Sequence, residues 1–339
     1  MNANRGKRSL AIDLKRQPGR DALLRLASTV DVLAYNVRPQ AMARLGLGYA
    51  DVANVRPDIV YAGMFGYGQD GPYASRPAYD GPDPGRSTHP LALCGGRRQR
   101  TPIRSKRHSG PRRRPDCGQS YLHRERTGEG QQVDVPMFET MVRLALADHM
   151  GGLSFDPPLD GGGYPRPLAP ERRPYRTADG YICALLYNDK QWRSFYAAIG
   201  QPERWTADPR LASMASRNEH IATLYAELGV IFTGRSTAEW AALLEAVDIP
   251  FTPMHDLSTI FEDPHLVATG FFQAEQHPTE GALRRTRPAG YWSRTQPDPP
   301  GPAPRYGEHS TAILREAGLD EDAIGRLLRD GTVIETADA

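Results

Sequence analysis

Residues 31–65, DVLAYNVRPQAMARLGLGYADVANVRPDIVYAGMF, decide the fold. Asp31 to Val37 (DVLAYNV) is an apolar run of strand length. Pro39 then stands where proline suits a first helical turn, Met42 and Leu45 share one face, and Gly46 is placed to end the helix. Ile59 to Phe65 (IVYAGMF) is the next strand. Strands separated by a short helical stretch imply parallel pairing through a right-handed crossover. The alternation extends in both directions. Upstream, Leu10 to Leu14 (LAIDL) reads as a preceding strand, and Pro18-Gly19-Arg20 opens a helix carrying Leu23, Leu24 and Leu26. Downstream, from Tyr121, a helix end, a glycine turn, the alternating strand Gln132 to Val135 and a helix through Leu146 follow. The class is α/β, an open parallel sheet.

The remainder is more helical. Gly161-Gly162-Gly163 and the prolines up to Pro174 form a long loop; Tyr181 to Leu186 (YICALL) is a strand, and Asp189 starts a helix. Its Trp192, Phe195 and Tyr196 read as core rather than substrate contacts. Asn218 to Phe232 carries Ile221, Leu224, Leu228 and Phe232 three or four residues apart, the spacing of one amphipathic helix. Ser236-Thr237-Ala238-Glu239 is a capping box, since serine and glutamate each satisfy an orphan amide of the first turn. Pro250 to Met254 is a strand candidate, the tail 296–305 is proline-rich, and Ser310 to Glu316 reads as the final helix.

With 339 residues, 39% of them hydrophobic, the chain can bury a core, which excludes wholesale disorder. No apolar run approaches the ~18 residues of a membrane-spanning helix. The stretch MNANRGKRSL lacks the apolar segment of a secretory leader, and Cys94, Cys117 and Cys183 form neither a disulfide framework nor a zinc pattern, so a reducing cytoplasm is expected. Charge is unevenly spread. Arg86 to Arg114 holds ten basic residues and no acidic one, leaving 32 basic against 40 acidic elsewhere.

Gly66-Tyr67-Gly68-Gln69-Asp70-Gly71 matches G-x-G-x-x-G after a strand, but a dinucleotide site needs a helix next, and Pro72-Tyr73 follows. A turn that lets another backbone or a thin ligand approach fits better. At the end of the second strand, Arg38 would sit on the sheet edge that lines ligand crevices in open α/β folds, with Lys15 pointing to the same edge and Arg44 further along the helix. Solvated surface charges would look the same from spacing alone. His255 and His309 have no spaced acid or cysteine partner and read as structural.

NANRGKRSLAIDLK, Gly19-Arg20, Asn36-Val37-Arg38-Pro39, Arg44-Leu45-Gly46, Phe65-Gly66-Tyr67-Gly68, Gly71-Pro72-Tyr73, Arg76-Pro77-Ala78-Tyr79-Asp80 and Arg126-Thr127-Gly128-Glu129-Gly130-Gln131 stand in an order that resembles the family III CoA-transferases, relatives of formyl-CoA transferase and the carnitine enzyme of that group. The resemblance continues through Thr177 to Tyr181, Asn188 to Trp192, Asp256-Leu257, Phe261 to Pro264 and Gly307-Glu308-His309. It implies a large Rossmann-like domain (1–165), a smaller α+β domain (166–290), a C-terminal segment returning to the first (291–339), and an interlocked homodimer. It also implies transfer of coenzyme A from an acyl-CoA to a small free carboxylate. An aspartate attacks the thioester, giving an acyl anhydride and then an aspartyl-CoA thioester. No permanently bound cofactor is implied, coenzyme A and acyl-CoA being substrates; neither membrane nor nucleic acid is an expected partner. By position, Asp13, Leu14, Lys15, Asn36, Val37, Arg38 and Arg44 correspond to coenzyme A contacts, with Ala78, Tyr79 and Asp80 near the pantetheine arm. Gly161 to Gly163 fall near a glycine loop of some members, in surroundings that match poorly.

Two departures from the family bear on activity. Members begin upstream of this Met1, so part of the adenine pocket and the first strand would be missing, leaving an exposed sheet edge. The nucleophile's position, counted back from Thr127, falls at Lys106, within SKRHSGPRRRP, and no acid lies between Asp83 and Asp116. Three readings of the basic segment compete: an arm for anionic partners, whose binding would weaken with salt and which would make the chain a non-catalytic interaction protein; a solvated loop; or a reading-frame shift. Only the shift explains preserved length together with lost hydrophobicity, between the end of the resemblance near Asp80 and its return near His123. The sequence thus describes a truncated member with impaired turnover.

Overall fold

The computed structural model describes residues 2–78 and 114–336. Of these, 2–78, 114–141 and 264–336 form one compact unit and 142–263 another. The strands in chain order are β1 (Ala11–Ile12), β2 (Val32–Tyr35), β3 (Val60–Gly63), β4 (Gln131–Asp134), β5 (Tyr175–Arg176), β6 (Tyr181–Ala184), β7 (Phe251–Pro253), β8 (Phe272–His277), β9 (Gly281–Thr286) and β10 (Val333–Ile334).

In the first unit, β2, β3 and β4 form the expected parallel sheet, with Val32 opposite Val60 and Val60 opposite Gln131. Central β3 is buried along its whole length, as a strand covered on both faces must be, hence its uninterrupted apolar sequence. Crossover helices Pro39–Arg44 and Tyr49–Val55 connect β2 to β3. Pro39 occupies the first turn and Gly46, at φ +67°, ends the helix in a conformation glycine adopts without penalty. Ala27, Tyr35, Met42, Leu47, Val52, Ile59, Tyr61 and Phe65 fill the core, with Leu14, Leu23 and Leu24 packed on it.

The first expected strand belongs elsewhere. LAIDL contributes only β1, which pairs antiparallel with β10, outside the parallel sheet. Asp13 N–H donates to Thr332 O at 2.8 Å, and Ser310 Oγ accepts from Ala11 N–H while donating to Ile334 O. Partners some 300 residues away leave no trace in the local pattern. The helix after it, Gln17–Ala27, packs Ala22 against Leu314, Ile324, Leu327 and Val333. Ser310–Glu316 is a helix as expected but not the last: Glu321–Arg329 follows, with Asp320 accepting from Ala323 N–H at 2.7 Å as its cap. The hairpin β8–β9 was also absent from the sequence reading.

The second unit holds an antiparallel sheet, β5-β6-β7. Trp192, Phe195 and Tyr196 are fully buried core residues, beside Phe232 and Trp240 whose rings lie 4.6 Å apart. The Ser236 capping box is formed, opening the helix Thr237–Ala246. The single helix expected over Asn218 to Phe232 is instead two, Met214–Glu219 and Ile221–Phe232, broken at His220, whose Nδ1 faces Ser216 O at 3.0 Å. Buried Arg217, bonded to Leu211 O and Asp189, holds the first of them in its own direction.

Candidate functional site

The site is built where the parallel strands end. β2 ends at Tyr35, and Asn36, Val37 and Arg38 continue it as exposed residues. Arg38 is extended (φ −66°, ψ 138°) and stands directly before the helix Pro39–Arg44, which has neither a side-chain cap nor an acid in its first turn. The Arg38 guanidinium donates to Ser75 O at 3.3 Å. β3 ends at Gly63, with Met64 N–H donating to Tyr35 O at 2.8 Å, and leads into the glycine-rich turn.

That turn is fixed from several sides. Gly68 N–H donates to Glu139 Oε1 at 2.8 Å, Gln40 Nε2 to Gln69 Oε1 at 2.9 Å, and Gln69 Nε2 to Tyr67 O at 2.9 Å. The Tyr67 ring meets Tyr73 and Phe138, and Arg76 lies 4.1 Å over the Tyr73 ring. A Cβ on Gly66 would stand 2.0 Å from Cβ of Ala78, so this glycine is required for the approach of the returning chain. No helix follows Gly71, and the dinucleotide reading of G-x-G-x-x-G falls with it.

The sequence-derived residues are thus partly assembled. Arg38 and Ala78 meet the same loop, at Ser75 and Gly66. Leu14 packs on the core cluster that holds Tyr35 and Met42. Asp13 accepts from Lys15 N–H at 2.9 Å and pairs with Arg16 at 3.4 Å. Because β1 lies outside the parallel sheet, the expectation that Lys15 shares its strand-end edge loses its basis. Arg44 sits in the last turn of its helix, about 9 Å of helix axis beyond Arg38 at ~1.5 Å rise per residue. Tyr79, Asp80, Lys106 and nearly all of the basic segment lie outside the described residues.

Electrostatics separates the two ends of the sheet. Before β2 and β3, Arg56 and Arg124 are neutralised by Asp31 and Asp58: Arg56 to Asp58 at 2.8 Å, Arg124 to Asp31 at 3.0 Å. Burial pushes the Asp58 carboxyl up, but the hydrogen bond from Arg124 and the charge of Arg56 outweigh it and hold the group below its usual range. At the other end, among the described residues, Arg38 has only a carbonyl partner and Arg44 forms no ion pair. Asp134, ending β4, is the acid nearest in sequence to this end, and it accepts from Gln132 Nε2 at 3.0 Å. Unpaired cations beside a helix start suit a phosphate-bearing ligand.

The reading of His255 as lacking an acid partner is overturned. His255 Nε2 lies 3.0 Å from Asp263 Oδ2, and Nδ1 3.3 Å from Thr259 Oγ1. The short helix Thr259–Glu262 folds eight residues back, a turn that spacing alone does not reveal. His309 accepts from Ser9 N–H through Nδ1, a structural contact as expected. Ser75, Gln40, Gln69 and Glu139 were missed, because their bonds to the turn join residues 29 to 71 positions apart.

Among the described residues, the strand ends of this parallel sheet carry Arg38 without an acid partner. The chain belongs to CoA-transferase family III, whose profile matches residues 1–110 and 117–310. The match takes in 81–110, where the sequence reading had ended the resemblance near Asp80. The chain is 30% identical over 337 residues to an acyl-CoA transferase of Fusarium pseudograminearum, covering 97% of this chain and 73% of that protein. It is 32% identical over 331 residues to the probable fatty acyl-CoA transferase Rv3272 of Mycobacterium tuberculosis, covering 92% and 82%. The crystal structure of Rv3272 superposes with a TM-score of 0.72 at 27% identity, over 91% of this chain and 82% of that one. By family, then, the protein is a transferase whose reaction moves coenzyme A between an acyl-CoA and a carboxylate. Among the described residues no helix is long and apolar enough to cross a membrane.

Proposed function

We propose that this chain binds coenzyme A at the strand ends of its parallel sheet, with Asn36, Val37, Arg38 and Arg44 toward the phosphates and Ala78, Tyr79 and Asp80 along the pantetheine arm; Asp13, Leu14 and Lys15, from a segment outside that sheet, are added on the strength of the family resemblance alone. One observation carries the reading: Arg38, exposed and without an acid partner among the described residues, is fixed by Ser75 O beside an uncapped helix start. The phosphates of coenzyme A need cations that are not already neutralised, and a guanidinium offers them paired donors.

Family chemistry proceeds through an aspartate that attacks the thioester carbonyl, expels the thiolate, and forms an anhydride that the thiolate then reopens. At the corresponding position this chain has Lys106. An amine acylated by a thioester gives an amide, which a thiolate does not reopen, so the cycle stops after one event. The chain therefore holds its substrate and turns it over poorly. The Rossmann-like arrangement, the interlocked homodimer and a cytoplasmic setting belong to the same reading, on the strength of the resemblance.

The test is to mix purified protein with succinyl-CoA or oxalyl-CoA and a range of carboxylate acceptors, and to follow the new thioester by chromatography. No product above the protein-free control is expected. Robust turnover would mean that a carboxylate elsewhere in the chain serves as nucleophile.

A further inference from the structure

His277 ends β8 in the first unit and is only 5% exposed. Both of its ring nitrogens meet groups whose hydrogen-bonding roles are fixed. Nε2 lies 3.2 Å from Ala303 O, and a carbonyl oxygen can only accept. Nδ1 lies 3.2 Å from Thr279 N and 3.3 Å from Glu280 N, and a backbone amide can only donate. The surroundings therefore hold the neutral ring in one tautomer, with the proton on Nε2 and the lone pair on Nδ1. In that state it joins two segments: the turn 278–280, which connects β8 to β9 where His277 stands opposite Gly281, and the proline-rich strap at Ala303, itself buried.

A second proton goes to Nδ1 and turns an acceptor for two donors into a third donor. Thr279 Oγ1, 3.3 Å away and donating to Glu280 Oε1 at 3.1 Å, is the acceptor within reach. To use it the ring must turn away from both amides, and because the two nitrogens belong to one rigid ring, the same turn carries Nε2 off Ala303 O. The nearby charges do not hold a cation in place. Glu275 on the same strand is bound by Arg5 and lies within reach of the charge of Arg285, Glu280 is engaged by Thr279, and Arg305 stands two residues beyond Ala303. Three arginines against two acids offer a charged ring no net attraction.

We propose that His277 is an acid-sensitive latch: neutral, it fastens the β8–β9 turn to the strap at Ala303, and on gaining a proton it releases both. The strap then depends on its ties to the N-terminal segment, from Gly6 N–H to Gly301 O at 2.9 Å and from Arg5 to Pro300 O at 3.3 Å. The latched fold binds one proton fewer than the released one, so its contribution is present above the ordinary histidine range, about 6.5, and is lost as pH falls through it. The latch is independent of coenzyme A binding and stands whether or not that reading holds.

The test is nuclear magnetic resonance on the full chain, labelled in the histidine rings and the backbone. At about pH 7.5, His277 is expected with a bare Nδ1 and a protonated Nε2. As pH is lowered toward about 5, ring protonation, the Thr279 and Glu280 amide signals and the Ala303 carbonyl signal should move with one midpoint. Exchange of the two amides, corrected for its intrinsic pH dependence, should rise several-fold, the worth of one hydrogen bond. In His277→Gln, which keeps a donor for Ala303 O but takes up no proton, those signals should stay still over the same range; if that variant does not fold, the shared midpoint in the native chain decides alone. A ring that carries its single proton on Nδ1, that stays neutral down to about pH 5, or that gains its second proton while the amides and the carbonyl do not move would overturn the latch, as would the same changes in His277→Gln.

Discussion

Arg38 and Arg124 are the same side chain put to opposite uses. Arg124 is nearly buried and lies on Asp31 and Asp58, so its removal leaves two carboxylates sharing the single cation of Arg56 among the described residues. Arg38 is exposed and, among the described residues, bonds only to the Ser75 carbonyl. Arg38→Ala is therefore expected to lower coenzyme A affinity about tenfold, the worth of one charge-assisted contact, while leaving the melting temperature unchanged. Equilibrium dialysis and thermal melts check both halves. In the second unit, the hydrogen bond from Arg210, strengthened by the Arg210 backbone amide and the charges of Arg210 and Arg204, outweighs burial and holds the Asp208 carboxyl below its usual 3.8. A pKa depressed on folding gives stability that is present above the unfolded value and lost as pH falls through the folded one. Asp208→Asn should melt below the native chain at neutral pH, and the gap should close as pH falls below the carboxylate range. A gap that stays constant down to the acid limit would refute the assignment.

At the scale of elements, the parallel strands were legible because β2 and β3 are apolar runs of strand length, β3 buried throughout, and the crossover carries its own start and stop at Pro39 and Gly46. The Ser236 box was legible for the same reason: cap and partner are three residues apart. Ser236→Ala should cost about 1 kcal/mol of stability, readable by chemical denaturation, and a change within error would mean that Glu239 alone holds the helix start. What failed to read was set by distant partners. LAIDL has a strand's composition, but β10 claims it, and the helical run before Phe232 is broken at His220, in the same stretch as Arg217, which bonds to Leu211 O and Asp189. The glycine turn belongs to both groups. Its freedom was visible in the sequence, whereas the need for it, Ala78 against Gly66, was not. Gly66→Ala must push the returning chain away, so coenzyme A binding should fall several-fold, with a loss of about 1–3 kcal/mol in stability from overpacking.

At the scale of the whole molecule, the family was legible from many short motifs in order, and the match to most of the chain bears it out. Site residues were legible only as types and positions. Arg38 and Ala78 are brought to one loop, whereas the strand before Lys15 pairs with β10 outside the parallel sheet, so the strand pattern does not place Lys15 beside them. In the proposed reading, the opposed ends of the parallel sheet, one with its arginines neutralised and one with Arg38 free of acid partners among the described residues, give the molecule a direction for anion binding that net charge, at +2, conceals. Titration of the intact, folded chain with coenzyme A by calorimetry tests that direction most directly. A saturable heat that weakens as salt is raised is predicted, since exposed cations and phosphates are screened. A cooperative thermal transition with no saturable heat at any salt concentration would contradict it.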